Sequence, residues 1–464
     1  MSDVFTQWFL EAESELEQIY FQLLRFPSIS ADVQFRPQLQ ACASWLVQEL
    51  SSMGFEISLF GENDAPIIFA SHMKASSDKP TLLIYNHYDV QPVDPLELWQ
   101  SDPFEPQRKG NLITARGAQD NKGQLMYVLA ALRETVKQTG ELGINVKLCI
   151  EGQEESGSEQ LSQLLSSPNM SSLFKADYLL IADFGMPAEN SPAITLGMRG
   201  ITAWTVVVES SAADLHSGTL GGIVYNPLHA LVEILAKLRD SSGRIAIPGF
   251  YDTVLEPDAS ELSCLSFDFD EEAFVRQFQC EPTGGEKSFS PLERAWLRPT
   301  VEINGVHGGY GGPGTKTVIP ARAEAKITAR LVPGQDPHDI AKKLKHFVEA
   351  VAPKGVRVEC QIHEGMGMPM RTSPHSRIVQ LLSESTKEAY GISPRFILEG
   401  ASIPIAAQLQ QKSGAEVALF GLGLPSDNIH APNECFGWDR IRKGFCIICA
   451  LLKKLADKAP IALE

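Results

Sequence analysis

Apolar residues recur along the first part of the chain in two alternating patterns, one typical of helices and one typical of buried strands. Helical spacing covers residues 7–25, QLQACASWLVQELSSMG and QLMYVLAALRETVKQTG, where Gly140 is the expected stop. Short apolar runs predict strands at PIIFA, TLLIYN, INVKLCIEG and DYLLIAD. Apolar strands that alternate with helices predict an α/β fold, in which a mostly parallel sheet is covered by helices on both faces.

The pattern changes near residue 199. The segment ITAWTVVVES predicts a strand, and NPLHALVEILAKLRD predicts a helix with Asn226 as its N-cap and Pro227 at its first position. The segment ARAEAKITARLV alternates small or apolar residues with polar ones, as in a sheet with one covered face. A helix near DPHDIAKKLKHFVEAV and a strand at VRVECQIHE follow, and residues 240–300 have the composition of an insertion. These elements predict a second domain of the α+β class.

The first pattern returns after residue 370. Helices are predicted at HSRIVQLLSESTKEAY and near GASIPIAAQLQQ, followed by a strand at AEVALFG and a last helix. We therefore predict one α/β domain made of residues 1–198 and 369–464, interrupted by an α+β domain made of residues 199–368. A chain of 464 residues is too long for a single hydrophobic core, which agrees with two domains.

Composition and charge narrow the class of protein. The 40 Lys and Arg residues are outnumbered by 57 Asp and Glu residues, for a formal net charge of -17. We therefore expect no nucleic acid partner and no attraction to anionic lipid. No apolar window approaches the roughly 20 residues of a membrane span, and the N-terminus carries acids where a signal peptide needs basic residues. We expect a cytoplasmic protein with no membrane partner.

Cysteine usage agrees with a reducing compartment. The 8 Cys residues have no framework spacing, so we expect free thiols rather than disulfides. Cys446 and Cys449 form a CxxC pair, but they lie within the helical pattern GFCIICALLKKLAD. Packing is therefore the expected role of this pair, rather than metal binding or redox chemistry.

Candidate metal ligands follow the predicted strands at their carboxyl ends, where the sites of open α/β sheets lie. One further acid, which precedes a predicted helix, completes the set. The residues are His87, Asp89, Asp120, Glu154, Glu155, Asp183 and His430. Two His residues combined with carboxylates have the composition of a two-metal hydrolytic centre. Because side chains alternate along a strand, His87 and Asp89 should point the same way, so that Asp89 can orient the imidazole.

Each of these residues also has an ordinary structural explanation. Asp120 could cap the helix that follows it, and Asp183 or His430 could be loop residues. Glu154 and Glu155 could be a solvated surface pair. Unrelated solvated residues need not fall at the ends of separate strands, however, so the joint pattern favours a metal centre. Two adjacent acids can also have separate roles, since one can bind metal while the other transfers a proton.

The motifs HYDVQP, W...DPFEP, ARGAQDNKG, EGQEESGS, DLHSGTLGG, TKTVIP, EGASIP and NIHAPNE occur in this order along the chain. They resemble the motifs of the co-catalytic metallopeptidases, which include carnosinase-like cytosolic dipeptidases, aminoacylase, acetylornithine deacetylase, succinyl-diaminopimelate desuccinylase and the glutamate-releasing carboxypeptidase. The resemblance covers nearly the whole chain and is closest to the carnosinase-like dipeptidases. It implies a zinc-exopeptidase-like α/β domain interrupted by a domain that serves as lid and dimerisation surface.

The resemblance also implies two divalent metal ions, with zinc expected and manganese or cobalt as alternatives. His87 and Asp183 would bind one metal. Glu155 and His430 would bind the other, and Asp120 would bridge the two. The family carries a cis peptide bond directly after this bridging acid.

Two further residues beside the metals receive roles from the resemblance. Asp89 would orient the imidazole of His87. Glu154 would be the general base, which takes a proton from the water between the metals and later delivers it to the leaving amine.

Substrate-binding residues are implied in the interrupting domain and just after it. His216 matches the residue that the dipeptidases lend across a dimer interface to the scissile carbonyl oxygen of the other subunit. Thr317 and Arg330 match lid residues near the substrate, and Arg330 and Ser402 match groups that hold its carboxylate. His363 is a further candidate, in a segment that matches loosely. The implied assembly is a homodimer formed through the interrupting domain.

All members of the family hydrolyse an amide next to a carboxylate-bearing group. The form HYDVQP, an Asp at position 183 where the deacylases usually have Glu, and the carnosinase-like lid motifs favour a dipeptidase. We therefore expect metal-dependent hydrolysis of dipeptides by a cytosolic non-specific or carnosinase-like dipeptidase. The alternative is an N-acyl-amino-acid deacylase of the acetylornithine deacetylase or succinyl-diaminopimelate desuccinylase type.

Two features bear on these alternatives. In ADFG, Phe184 and Gly185 replace the polar or aromatic residues expected after the ligand, where the substrate amine would be recognised. A metal-binding relative that has lost catalysis is a third hypothesis. It predicts a broken base or bridge, whereas Glu154 and Asp120 are both present.

Overall fold

The computed structural model describes residues 2–61, 65–401 and 403–457. The described residues group into two compact units. The first contains the chain up to Leu196, the segment Thr372–Ile397 and the chain from Gln408 onward. The second contains Gly197–Arg371 and Leu398–Ala407. The segment Leu398–Ala407, whose range contains the EGASIP motif, thus groups with the second unit.

The helices of the described residues alternate with strands in the first unit and include several short ones in the second. They are α1 (Ser2–Leu24), α2 (Arg36–Ser52), α3 (Lys122–Thr139), α4 (Glu159–Ser166), α5 (Ser171–Phe174), α6 (Ser217–Leu220), α7 (Pro227–Ala236), α8 (Ala259–Cys264), α9 (Glu271–Phe278), α10 (Pro291–Trp296), α11 (Pro337–Val351), α12 (Arg377–Tyr390), α13 (Pro404–Ser413) and α14 (Trp438–Asp457).

The strands are β1 (Glu56–Phe60), β2 (Ile67–His72), β3 (Thr81–His87), β4 (Gln107–Lys109), β5 (Leu112–Thr114), β6 (Asn145–Glu151), β7 (Tyr178–Ala182), β8 (Ala193–Met198), β9 (Gly200–Glu209), β10 (Leu215–His216), β11 (Thr300–Gly308), β12 (Val318–Ile319), β13 (Arg322–Leu331), β14 (Arg357–Ile362), β15 (Met370–Arg371), β16 (Arg395–Glu399), β17 (Glu416–Phe420) and β18 (Cys435–Gly437).

The main sheet of the first unit has the strand order β1-β2-β6-β3-β7-β17-β8. The four central strands β6, β3, β7 and β17 are parallel to one another. The flanking strands β2 and β8 are antiparallel to their neighbours. The predicted mostly parallel sheet is therefore confirmed. Since parallel strands run in one direction, the carboxyl ends of the four central strands share one edge of the sheet.

Helix signals in the sequence agree with the structure. Gly140 ends α3 in the left-handed conformation, with φ 83°, and its N–H bonds to the carbonyl of Val136. The side chain of Asn226 accepts a hydrogen bond from the N–H of Leu228 at the start of α7. Helix α14 packs against α1, α3 and α12. No helix in the described ranges has an apolar stretch long enough to cross a membrane.

The second unit contains an antiparallel sheet with the order β11-β13-β9-β14. Helices α7 and α11 pack against this sheet. Along β13 the buried residues alternate with partly or fully exposed ones, which confirms the prediction of one covered face. The predicted insertion at 240–300 contains the short helices α8, α9 and α10.

The Cys residues are free thiols, as predicted. Cys446 and Cys449 are buried in α14. Burial raises the pKa of both thiols, so that they stay protonated at neutral pH, which is consistent with a packing role.

Candidate active site

Polar side chains converge at the shared carboxyl edge of the four parallel strands. His87 is the last residue of β3, and Asp183 directly follows β7. Glu154 and Glu155 form a short 3-10 turn just after β6. His430 lies in the loop that leads from β17 to β18. The neighbouring order of these strands in the sheet brings together residues that are far apart in the chain.

Two clusters of possible metal-binding side chains lie at this edge, and they share Asp120. In the first cluster, Nε2 of His87 lies 3.2 Å from Oδ1 of Asp120 and 3.7 Å from Oδ2 of Asp183. In the second, Nε2 of His430 lies 3.0 Å from Oδ2 of Asp120 and 3.3 Å from Oε2 of Glu155. Within each cluster the ligand atoms lie within 4.8 Å of one another. The two oxygens of Asp120 thus face different imidazoles.

Asp89 supports both His87 and the acid pair. Its Oδ1 lies 3.2 Å from Nδ1 of His87, the ring nitrogen that faces away from the first cluster. The same carboxylate accepts the backbone N–H groups of Glu154 and Glu155, at 3.2 and 3.0 Å. The predicted contact between Asp89 and His87 is therefore confirmed. Asp89 also fixes the backbone from which the two glutamates project.

Glu154 lies beside the clusters without belonging to either of them. Its Oε2 is 4.0 Å from Nε2 of His87. The side chains of Glu154 and Glu155 are only 17% and 5% exposed, so they are not a solvated surface pair. One of the adjacent acids therefore joins a cluster, while the other remains available next to it.

Burial and charge displace the pKa values of these groups. Burial raises the pKa of Glu154 to about 9, and the charges of Asp183 and Glu155 act in the same direction. Burial also raises the pKa of Asp183 to about 6. Hydrogen bonds to Asp120 and Glu155 raise the pKa of His430 to about 10. The acids around the two imidazoles create a high negative potential, and the side chains offer nitrogen and oxygen atoms as metal ligands. Both properties suit divalent cations.

Asn121 connects the loop that carries Asp120 to the end of β7. The peptide bond between Asp120 and Asn121 is cis, which confirms the expectation from the family. The amide nitrogen of Asn121 donates to Oδ1 of Asp183, at 2.6 Å, and to the carbonyl of Ala182, at 2.9 Å. Asn121 is the N-cap residue of α3 and makes no side-chain capping bond, and the oxygens of Asp120 lie against the imidazoles of His87 and His430. These contacts do not fit the explanation of Asp120 as a simple helix cap.

Glu434 is a buried acid near the clusters that the sequence analysis did not single out. One of its oxygens accepts the backbone N–H groups of Gln119 and Asp120, at 2.8 and 3.0 Å. The other accepts the N–H of Gly117 and the guanidinium of Arg116, at 2.7 and 2.9 Å. Its place in NIHAPNE, soon after His430, is a weak signal, since it does not reveal which loop the side chain contacts.

In the second unit, His216 and Thr317 lie together. The N–H of Gly218 donates to Nδ1 of His216 at 3.1 Å, and Nε2 of His216 lies 3.4 Å from Oγ1 of Thr317. Because Nδ1 accepts a hydrogen bond, the proton of the neutral ring belongs on Nε2. Both side chains are exposed. An exposed imidazole with its donor on Nε2 can hydrogen-bond to an incoming oxygen atom.

The other substrate-binding candidates of the second unit lie on or beside its antiparallel sheet. Arg330 is half-buried on β13. Burial, with the charge of Arg330 acting in the same direction, lowers the pKa of Arg199 to about 10. His363 follows β14 and is exposed, with its Nε2 2.8 Å from Oγ1 of Thr205. Ser402 lies outside the described residues. Arg199 was not among the predicted site residues. Its neighbours in the sequence do not reveal that the charge of Arg330 is close to it.

Comparison with known proteins gives matches along most of the chain. Residues 83–454 match the model of Peptidase family M20/M25/M40. The Cys-Gly metallodipeptidase dug1 of Schizosaccharomyces pombe is 32% identical over 456 residues, which cover 94% of this chain and 94% of that protein. The Beta-Ala-His dipeptidase of Mus musculus is 33% identical over 372 residues, which cover 80% of this chain and 76% of that protein.

A solved structure gives the same result. The M20 family metallo-carboxypeptidase Sso-CP2 from Sulfolobus solfataricus has a TM-score of 0.85 and 33% sequence identity to this chain. The match covers 96% of this chain and 100% of that structure. The family model and the similar proteins therefore agree with the resemblance that the motifs indicate. The chain belongs to the peptidase family M20/M25/M40.

Proposed function

We propose that this peptidase hydrolyses the peptide bond of dipeptides, with two divalent metal ions bound at the two clusters. The observation that carries the proposal is the position of Asp120, whose two oxygens face different imidazoles while Glu154 stays outside both clusters. The names of the similar proteins, Cys-Gly metallodipeptidase and Beta-Ala-His dipeptidase, support a dipeptide as the substrate.

The donor set fits two metals. His87 and Asp183 would hold one metal, Glu155 and His430 would hold the other, and Asp120 would be shared. When bound, the metals would polarise the scissile carbonyl and lower the pKa of the attacking water. Zinc suits mixed imidazole and carboxylate ligands, and manganese and cobalt are alternatives.

Glu154 is the proposed general base. Its carboxylate lies beside the first cluster, close enough to reach a water molecule held there, and it has no place in either set of ligands. It would take a proton from the attacking water and deliver that proton to the nitrogen of the leaving amine. Asp89 assists by holding the backbone of Glu154 and the ring of His87 in position.

The second unit would bind the substrate. We propose that His216, with its proton on Nε2, donates a hydrogen bond to the scissile carbonyl oxygen in the active site of a partner subunit. Arg330 and Ser402 would hold the carboxylate of the substrate, and Thr317 and His363 would lie near it. This arrangement requires a homodimer formed through the second unit.

The choice of substrate is tested by comparing an unblocked dipeptide with the N-acetylated form of its C-terminal amino acid, which has the same leaving group, in the presence of zinc or manganese. We expect kcat/KM to be at least about tenfold higher for the dipeptide, because an acetyl group lacks the charged amine of the first residue. Equal or faster cleavage of N-acetyl amino acids would instead support the deacylase alternative.

A second candidate function follows from the structural similarity to a metallo-carboxypeptidase, which favours release of the C-terminal residue from longer peptides. The matching assay extends the same dipeptide by one residue at its N-terminus. A tripeptide cleaved as fast as the dipeptide would identify a carboxypeptidase of broader range. A dipeptidase should cleave the tripeptide much more slowly.

A further inference from the structure

Glu434 is almost completely buried, with 1% of its surface exposed, and it is surrounded by donors. Both of its oxygens accept two hydrogen bonds each, from the backbone of residues 117–120 and from Arg116. One of these donors is the N–H of Asp120, the residue shared by the two clusters. The carboxylate therefore holds the backbone of the shared acid, while His430, on the same segment as Glu434, contacts the side chain of that acid.

Arg116 extends this connection to a third segment. Its Nη1 donates to Glu434 at 2.9 Å, and its Nη2 donates to the carbonyl of Pro92 at 2.9 Å. Pro92 ends the segment HYDVQP, which carries His87 and Asp89. Both members of the Arg116 and Glu434 ion pair are 1% exposed. One buried ion pair thus joins the segments that carry His87, Asp120 and His430.

We infer that Glu434, paired with Arg116, is a positioning residue that sets the geometry of Asp120 in both metal clusters. The inference rests on the proposed function, since it assumes that the clusters bind metal. A glutamine at this position would turn an NH₂ group toward two donors, whichever way its amide is oriented. The loop would then shift to relieve the unmatched donors, and Asp120 would move with it.

Gln91 provides a contrast, because it contacts only one cluster. Its amide nitrogen donates to Oε2 of Glu155 at 2.7 Å, and the same oxygen lies 3.3 Å from Nε2 of His430. Glu155 belongs to the second cluster alone. Loss of this hydrogen bond should therefore weaken one metal site, whereas a change at Glu434 should weaken both.

The test is a titration of chelator-treated full-length protein with zinc, in which the affinities of both sites are measured by competition with a metal indicator. We expect Glu434→Gln to weaken both sites by roughly 10- to 100-fold, as loss of a residue that orients metal ligands does. Gln91→Leu should weaken one site by a similar factor and leave the other unchanged. Glu434→Asp keeps the charge but shortens the side chain, so both sites should weaken to a smaller extent.

Glu286→Gln is the matched control for general loss of stability. Glu286 is also buried and paired with an arginine, Arg298, but it lies in the second unit. The substitution Glu286→Gln should lower the melting temperature of the protein without changing its affinity for zinc. If Glu434→Gln does not fold, Glu434→Asp decides the matter. Unchanged affinity at either site in a folded Glu434 variant would overturn the inference, whereas absence of zinc binding by the wild-type protein would overturn the proposed function itself.

Discussion

Replacement of Glu154 by Gln is expected to lower kcat by on the order of 10²- to 10⁴-fold while both metals stay bound, because an amide cannot accept the proton of the attacking water. Gln has nearly the same shape as Glu, and Glu154 is not a member of either cluster. The substitution should therefore leave the ligand geometry unchanged. The measurement is dipeptide turnover under saturating substrate, together with the metal content of the purified variant.

Glu159→Gln is the control for this experiment. Glu159 is an exposed acid at the start of α4, five positions further along the chain. Its replacement changes the net charge by the same amount and should leave turnover unchanged. Near-normal turnover in Glu154→Gln, or a large loss in Glu159→Gln, would contradict the assignment of Glu154 as the base.

Replacement of His216 by Ala is expected to lower kcat by about 10²- to 10³-fold, the range found when one donor to a developing oxyanion is removed. The affinity of the clusters for metal should stay the same, because His216 belongs to neither of them. The exposed His229 on α7 is a matched control within the same unit. His229→Ala should retain normal turnover.

A mixing experiment tests whether His216 acts in a partner subunit. His216→Ala and Glu154→Gln are each expected to be nearly inactive, but a heterodimer of the two would contain one site with both residues intact. Random exchange of subunits in an equal mixture should restore roughly a quarter of the wild-type activity. A monomeric form should be poorly active. An active monomer, or no recovery after proven exchange of subunits, would contradict the shared site.

The sequence predicted the central strands of the first unit because they are continuous buried apolar runs. The structure contains such runs at β3, β6, β7 and β17, whose residues are mostly buried. The strand β1 was missed, because it lies at the edge of the sheet and is largely exposed, so its apolar signal is weak. The strand β8 was also missed, because it lies where the two predicted patterns meet.

Residues of the candidate site were predictable where strand ends place them. His87 is the last residue of a buried strand and Asp183 directly follows another, so the position of the strand fixes the position of the side chain. Glu434 was not predictable, because its partner Gln119 lies 315 positions away and the contact depends on the paths of two loops. Pattern and periodicity describe local geometry, whereas the bonds that align Asp120 arise only when distant loops meet.

Two metals bound at these clusters should be required for dipeptide hydrolysis. The decisive experiment adds zinc or manganese stepwise to chelator-treated protein while hydrolysis of a dipeptide and the amount of bound metal are both measured. We expect no activity without metal and full activity at two ions per chain, and Asp120→Ala should not reach full activity. Hydrolysis by the metal-depleted protein, or full activity in Asp120→Ala, would show that the two clusters are not the catalytic metal centre.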